Sequence, residues 1–247
     1  MNIAVCVKQT FDTEAKIALK DGKVSADGVN LIINPYDEVA VEEGLQIKEK
    51  LGGEVTVVSA GSEKAQDAIR QALAMGADKG VLIDAPTDAD EYARAVILAE
   101  ALKKLNAELI LCGHVAADDG SSQVPTRVAE ILGLPHVNVV RKIELNGNTA
   151  TCTRETDGGS EVIQVTLPAI ITCQVGLNEP RYPSMKGIMQ AKKKPVDKVA
   201  ATAIANKANV VTYFIPPPKA AGKRVEGDAK DTAAALANWL KNEAKVI

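Results

Sequence analysis

The residues best placed to do chemistry cluster in one loop, Gly113-His114-Val115-Ala116-Ala117-Asp118-Asp119-Gly120-Ser121-Ser122-Gln123-Val124. It leaves an apolar run, Leu109-Ile110-Leu111-Cys112, and ends in small polar residues before Pro125 and a helical pattern. In open α/β sheets ligands bind there, beyond the carboxyl end of a strand. Backbone N–H groups from Ser121 to Val124, with the dipole of the following helix, would favour a phosphate. A plain strand-to-helix connection with a Ser cap fits the same residues, so both readings stand locally. Asp118 and Asp119 oppose a phosphate unless they point away from it. The segment has neither the Gly-Lys-Ser/Thr of a Walker loop nor the Gly-x-Gly-x-x-Gly dinucleotide fingerprint.

Other candidate groups are weaker. Asp118 with Asp119, or Glu42 with Glu43, could form acid–base pairs, but adjacent carboxylates on a helix surface are ordinarily solvated. His114 has no nucleophile or orienting acid nearby in sequence, and His136, after Pro135, reads as structural. Cys6, Cys112, Cys152 and Cys173 form no Cys-x-x-Cys pair and only 2 histidines accompany them, which argues against a metal centre. Cys6, Cys112 and Cys173 lie in apolar runs and read as reduced, buried thiols. No catalytic set can be assembled. Asn34-Pro35-Tyr36-Asp37 could offer backbone groups and a ring to a base or ribose, but reads better locally as a helix start with an Asn cap. The segment Arg181 to Lys194 exposes Met185, an adaptable side chain suited to partner contacts, before a triple Lys that reads as a solvated charge run.

The elements that must position these groups alternate. Ile3 to Val7, Val55 to Ala60, Val81 to Ile83 and Leu109 to Cys112 are short apolar runs, read as buried strands. Helical patterns separate them. One carries Ala40, Val41, Gly44, Leu45 and Ile47 on a face and ends at Gly52-Gly53; another starts with Ser62 as cap and ends at Gly76; a third runs from about Ala89 to Leu105. A fourth is marked by Val128, Ile131 and Leu132 and ends at Gly133. This predicts an α/β fold with a parallel sheet covered by helices on both faces. Asn146-Gly147 and Asp157-Gly158-Gly159 predict an appended β-hairpin region. The nucleotide-binding domain is expected over 1–195. Beyond it, 196–247 is expected to be an extended arm: a Pro216-Pro217-Pro218 connector, a flexible stretch from Ala220 to Asp231, and a helix from about Thr232 to Lys245 carrying Trp239.

Composition narrows the function classes. A net charge of -3 gives no electrostatic case for nucleic acid or an anionic membrane, and 3% aromatics leave little for base stacking. No apolar stretch reaches membrane-spanning length and the N-terminus has no basic leader, so a cytoplasmic location is expected.

Several blocks then carry a resemblance. In order they are Val7-Lys8-Gln9, Asn34-Pro35-Tyr36-Asp37-Glu38 with Ala40-Val41-Glu42-Glu43, and Ala72-Leu73-Ala74-Met75-Gly76-Ala77-Asp78. The Gly113 loop with Gln123, Asp157-Gly158-Gly159, Leu177-Asn178-Glu179-Pro180-Arg181-Tyr182, and Ile188-Met189 with Ala191-Lys192-Lys193-Lys194 follow. Over roughly the first 195 residues the chain resembles the beta subunit of electron-transfer flavoproteins. The resemblance implies an adenine-nucleotide-hydrolase-like, Rossmann-type fold and a heterodimer with an alpha subunit that holds most of an FAD. It implies a carrier passing electrons from acyl-CoA-type flavin dehydrogenases to a downstream acceptor, rather than a stand-alone enzyme. The beta subunit would bind its own adenine nucleotide: AMP, or a second FAD in electron-bifurcating members that oxidise NADH. Carried over by position, the nucleotide contacts would be Cys6, Asn34, Pro35, Tyr36, Asp37, Ala60 and the loop from Gly113 to Val124. Glu155 would lie near the partner's flavin, Met185 in the loop that docks dehydrogenases, and the Trp239 helix on the alpha subunit. The loop departs from both family types: Ser122-Gln123-Val124-Pro125 replaces Asn-Gln-Thr-Gly of AMP members, while Val124 is like bifurcating ones. Phe11 replaces a usual Pro. The Asp-Gly-Gly turn and triple Lys favour AMP. An ATP-binding stress-type homodimer is a distant alternative, because it would lack the 177–194 block.

Overall fold

The computed structural model describes residues 1–219 and 221–247, so Ala220 of the expected flexible stretch lies outside the described residues. Two compact units divide the chain, Met1–Thr212 and Tyr213–Ile247.

In the first unit, β1 (Asn2–Cys6) leads into two small antiparallel ribbons. β2 (Gln9–Phe11) and β3 (Ala18–Lys20) are followed by β4 (Lys23–Ser25), which pairs with β3, and β5 (Leu31–Ile33), which pairs with β2. These three-residue strands have no sequence signature, being too short for a period. Helix α1 (Pro35–Leu51) follows, then β6 (Glu54–Gly61) and α2 (Gln66–Met75). Next come β7 (Lys79–Asp84), α3 (Glu91–Leu105), β8 (Leu109–Gly113) and α4 (Val124–Leu132). The meander β9 (His136–Asn146), β10 (Thr149–Thr156) and β11 (Gly159–Thr166) precedes β12 (Ala169–Cys173), α5 (Met185–Ala191) and β13 (Val196–Ala200).

One nine-stranded sheet results, in the order β11-β10-β9-β12-β8-β1-β6-β7-β13. From β9 to β13 every neighbouring pair is parallel; β10 runs antiparallel to both its neighbours. The appended region is thus a three-stranded meander continuous with the main sheet. Residue 195 does not end the sheet, because Val196–Ala200 adds to β7 in register and the compact unit runs on to Thr212.

Both faces of the parallel region are buried, which explains the unbroken apolar strand runs. Ile3, Val5, Val57 and Leu111 pack on one face with Leu45, Ile69 and Leu73 of α1 and α2. Ala4, Val58, Ile110 and Ile170 pack on the other with Leu98 and Leu102 of α3 and Val128 of α4. Each fully buried Leu or Ile contributes about 1.5–3 kcal/mol. Ile131, expected to mark the inner face of α4, is exposed.

Helix ends follow local chemistry only in part. Asp90 caps α3 by accepting from Ala93 N, and Asn106 and Gly133 end α3 and α4 in left-handed conformation. Ser62 makes no side-chain cap; a single 3-10 turn, Glu63–Ala65, intervenes before α2. Val139 adopts φ 62 where the register between β9 and β12 shifts, and its amide donates to Thr172 Oγ1 at 2.9 Å.

In the second unit, α6 (Ala229–Trp239) is capped by Asp228 and continues into a π-helical turn, Leu240–Ala244. No residue of α6 is buried. Among the described residues no helix is long and apolar enough to cross a membrane.

Candidate functional site

The strand order places β8 and β6 on opposite sides of β1. The chain therefore leaves β1 toward one face and β8 toward the other, and a crevice opens beyond their carboxyl ends. A cleft lies there. Its floor is made of Cys6, Ala60 and Cys112 at the ends of β1, β6 and β8, and its walls of Leu98 from α3 and Val128 from α4. Small and apolar floor residues leave room for a flat ring.

Three side chains shape the loop after β8. Buried Asp37 accepts from Lys8 N at 2.7 Å and Gly113 N at 2.9 Å, tying together the diverging ends of β1 and β8. A Cβ on Gly113 would stand 2.2 Å from Asp37 Oδ1 and 2.8 Å from Tyr36 backbone, so only glycine fits where α1 begins. Asn34 donates to Val115 O at 2.9 Å and accepts from Ala117 N at 3.1 Å. It occupies the N-cap position of α1 but makes no side-chain cap, contrary to the expected Asn cap: both its polar atoms serve the loop instead. Lys8 Nζ reaches Asp118 Oδ1 at 2.7 Å and Asp119 Oδ2 at 2.6 Å. One ammonium thus offsets one of the two negative charges that opposed a phosphate and turns both carboxylates onto itself, and Asp119 also accepts from Ser121 N at 2.9 Å.

Titration follows from these contacts. Burial pushes the Asp37 carboxyl up to about 7 against the opposing pull of the Lys8 and Gly113 amides. Burial also raises Asp119, but the Lys8 ammonium and the Ser121 amide outweigh it and hold that carboxyl below its ordinary range. Half-buried His114 is held below its usual value by burial, favouring neutral imidazole.

The expected Ser cap of α4 is absent. Gln123 sits at the N-cap without a side-chain cap, its Oε1 accepting from Arg127 Nη2 at 2.6 Å. Gly120 and Ser122 take positive φ, 64 and 52, turning the loop into the helix. The first turn of α4 is left with amides that no side chain caps, which is the chemistry of an anion site.

Of the residues singled out by sequence, Cys6, Asn34, Asp37, Ala60, Gly113, His114, Val115, Ala116, Asp119, Ser121, Ser122, Gln123 and Val124 line the cleft. Pro35, Tyr36, Ala117, Asp118 and Gly120 do not line it; they build the loop and helix start behind it. Val7, Lys8, Arg94, Leu98, Cys112, Pro125 and Val128 line it and were not singled out. Arg94 lies one turn before Leu98 on α3, so the helical period of the third helix could have found it.

Glu42 and Glu43 are buried rather than solvated. Arg181 grips Glu42 through Nε and Nη2 at 2.8 and 2.9 Å and reaches Glu49 at 2.5 Å. Asn178 donates to Val39 O and to Glu43 Oε2 at 3.1 and 3.0 Å. The segment 177–182 is thus a strap across α1, and the acid pair anchors it. Beyond the strap, Ser184 caps α5, whose Met185 and Met189 are exposed. Lys194 is no solvated charge: its Nζ donates to Leu73 O and Ala77 O at the end of α2. Glu155, on β10, pairs with Arg141 at 2.9 Å on the exposed meander. Cys112, Cys152 and Cys173 are buried free thiols; Cys6 is only partly buried and faces the cleft.

Residues 21–204 match the family model for the electron transfer flavoprotein domain. An electron transfer flavoprotein subunit beta of Syntrophomonas wolfei is 63% identical, covering 100% of this chain and 98% of that protein. One from Bacillus subtilis is 45% identical with 100% of both chains covered, and one from Dictyostelium discoideum 35% identical over 92% and 93%. The chain belongs to the electron transfer flavoprotein beta-subunit family. The residues matched to the electron transfer flavoprotein domain contain Asn34 to Asp37, Ala60, the Gly113 loop, Glu155, the 177–182 strap and Met185. Cys6 and Lys8 lie outside that match, within the part covered by the full-length beta-subunit relatives.

Proposed function

We propose that the cleft beyond β1 and β8 binds an adenine nucleotide, AMP, and that the chain is one half of an electron-carrying heterodimer with an alpha subunit. The observation that carries the nucleotide reading is the pairing of an apolar floor with a loop whose last amides, at the start of α4, are uncapped. These residues fit the group. Cys6, Ala60 and Cys112 would accept the base between Leu98 and Val128, and the Ser122 to Val124 backbone would meet the phosphate. The nucleotide would be structural. The flavin, held largely by the alpha subunit, supplies the electron-carrying chemistry when bound. This chain contributes the nucleotide, half the interface, Glu155 toward the flavin, and the exposed methionines of α5 as the docking surface for flavin dehydrogenases of acyl-CoA type. The Asp118–Lys8–Asp119 cluster supports the reading by roughly halving the repulsion that two free carboxylates would give.

Acid extraction of the purified heterodimer, followed by chromatography, tests this. One FAD and one AMP per heterodimer are expected. Two FAD and no AMP would place the chain in an electron-bifurcating flavoprotein instead, and ATP recovered from a homodimer would overturn the carrier reading.

A further inference from the structure

Three side chains that can carry positive charge line the cleft: Lys8, His114 and Arg94. Lys8 is occupied by two carboxylates at 2.7 and 2.6 Å. His114 favours its neutral form through burial. Arg94 differs from both. Its Nε donates to Ala89 O at 2.8 Å and its Nη2 to Thr87 O at 3.3 Å, and among the described residues no ion pair includes it. Both partners are neutral carbonyls. Its charge is therefore uncompensated, and of five guanidinium N–H donors most remain for a ligand.

Position within the cleft assigns the ligand's end. The floor is thiol, methyl and aliphatic: Cys6, Ala60, Cys112, Leu98 and Val128. Arg94 belongs to the first turns of α3 and is tethered to the connection that precedes it, so its guanidinium lies at the rim, beyond the strand ends. The uncapped first turn of α4 lines the same cleft. A base belongs at the floor and an anion at the rim.

We propose that Arg94 is a phosphate-binding residue of this cleft, holding the dianionic phosphate of a nucleoside monophosphate together with the first-turn amides of α4. The proposal rests on the nucleotide reading above and adds to it the residue that distinguishes a nucleotide from a nucleoside. The tethering carbonyls hold the planar fork in place before the ligand arrives, which lowers the ordering cost of binding.

The test is titration calorimetry of the nucleotide-stripped full chain with AMP and with adenosine, comparing wild type, R94Q and R94K. A charge-assisted contact of this kind changes affinity about 10- to 100-fold. R94Q is expected to weaken AMP by that factor and leave adenosine within about twofold, with R94K intermediate because it keeps the charge but loses the fork. If R94Q binds AMP like wild type, or if AMP and adenosine weaken equally, the proposal is overturned while the nucleotide reading stands. If R94Q does not fold, R94K decides by the same comparison. If the wild-type chain binds neither probe, the nucleotide reading falls and this proposal with it.

Discussion

Asp37 accepts from the amides of both Lys8 and Gly113, so each carboxylate oxygen closes a different strand end. Asn at this position offers one acceptor, and its NH2 would face a buried N–H. Asp37→Asn is expected to cost about 1–3 kcal/mol, read from urea unfolding at pH 7. The carboxyl also sets a pH dependence. Its folded value, about 7, lies above the ordinary 3.8, so the folded state holds the proton more tightly. That contribution is full below 3.8 and is lost as pH rises through about 7. Unfolding free energies measured from pH 4 to 8 should decline over this window in wild type and more shallowly in Asp37→Asn; equal slopes would contradict the assignment. Cys6 gives a second check at this scale. It is the partly exposed thiol in the cleft while Cys112, Cys152 and Cys173 are buried. Maleimide should label Cys6 first, and saturating AMP should slow that labelling at least severalfold; labelling indifferent to AMP would place the nucleotide elsewhere.

The strap and α5 act as elements. Arg181 neutralises Glu42, whose side chain is 4% exposed, and removing it strands a buried carboxylate. Burial raises Glu42, yet the Arg181 hydrogen bonds outweigh it and hold the carboxyl below its ordinary 4.5. Arg181→Ala is expected to cost about 2–4 kcal/mol, somewhat under the buried-pair range because the guanidinium is 36% exposed. The depressed carboxyl gives stability that is present above 4.5 and lost as pH falls, so the Arg181→Ala deficit should shrink in acid. A thermal-melt series from pH 7 to pH 3 measures both. Helix α5 docks on α2 at Gly187, where a Cβ would stand 2.4 Å from Ala74 O. Gly187→Ala should push α5 off α2 and disturb the presentation of Met185 and Met189. If α5 docks a flavin dehydrogenase as proposed, the readout is slower electron transfer with that dehydrogenase at near-normal content of any bound nucleotide; an unchanged rate would mean that α5 is not the docking element.

At the scale of the whole molecule, residues 1–212 hold the sheet and both apolar faces, while α6 in the second unit buries none of its residues. A fragment ending at Thr212 should therefore melt within a few degrees of the full chain when each is alone. Leu236 and Trp239 remain exposed on α6, at 51% and 36%, as a helix awaiting a surface would leave them. The same truncation should weaken assembly with the alpha subunit, seen as dissociation of the heterodimer at low concentration in sizing experiments. Undiminished assembly would remove the arm from the interface.

Strands β1, β6, β7 and β8, the inward face of α1, the two glycine turns of the meander and the loop after β8 were legible in the sequence, because each rests on a local period or a residue with a fixed backbone preference, whereas β13 fell in what read as an extended arm. The ribbons β2 to β5 were not, since three residues carry no period. Asn34, Ser62 and the serines of the Gly113 loop read as caps because Asn and Ser satisfy helix amides when nothing else competes. In the fold a loop some eighty residues away takes both polar atoms of Asn34. Glu42, Glu43 and Lys194 read as surface charges, yet their partners Arg181, Asn178 and the end of α2 arrive only through chain crossing. The sequence by itself determined the alternating strands and helices of the parallel region and the family. Tertiary structure alone decided which charges are neutralised and which remain: Lys8 against Asp118 and Asp119, Asp37 between two strand ends, Arg94 left uncompensated at the rim. Electrostatic pairing depends on distance in space, and Lys8 and Asp118, 110 positions apart, have no sequence pattern that records their contact.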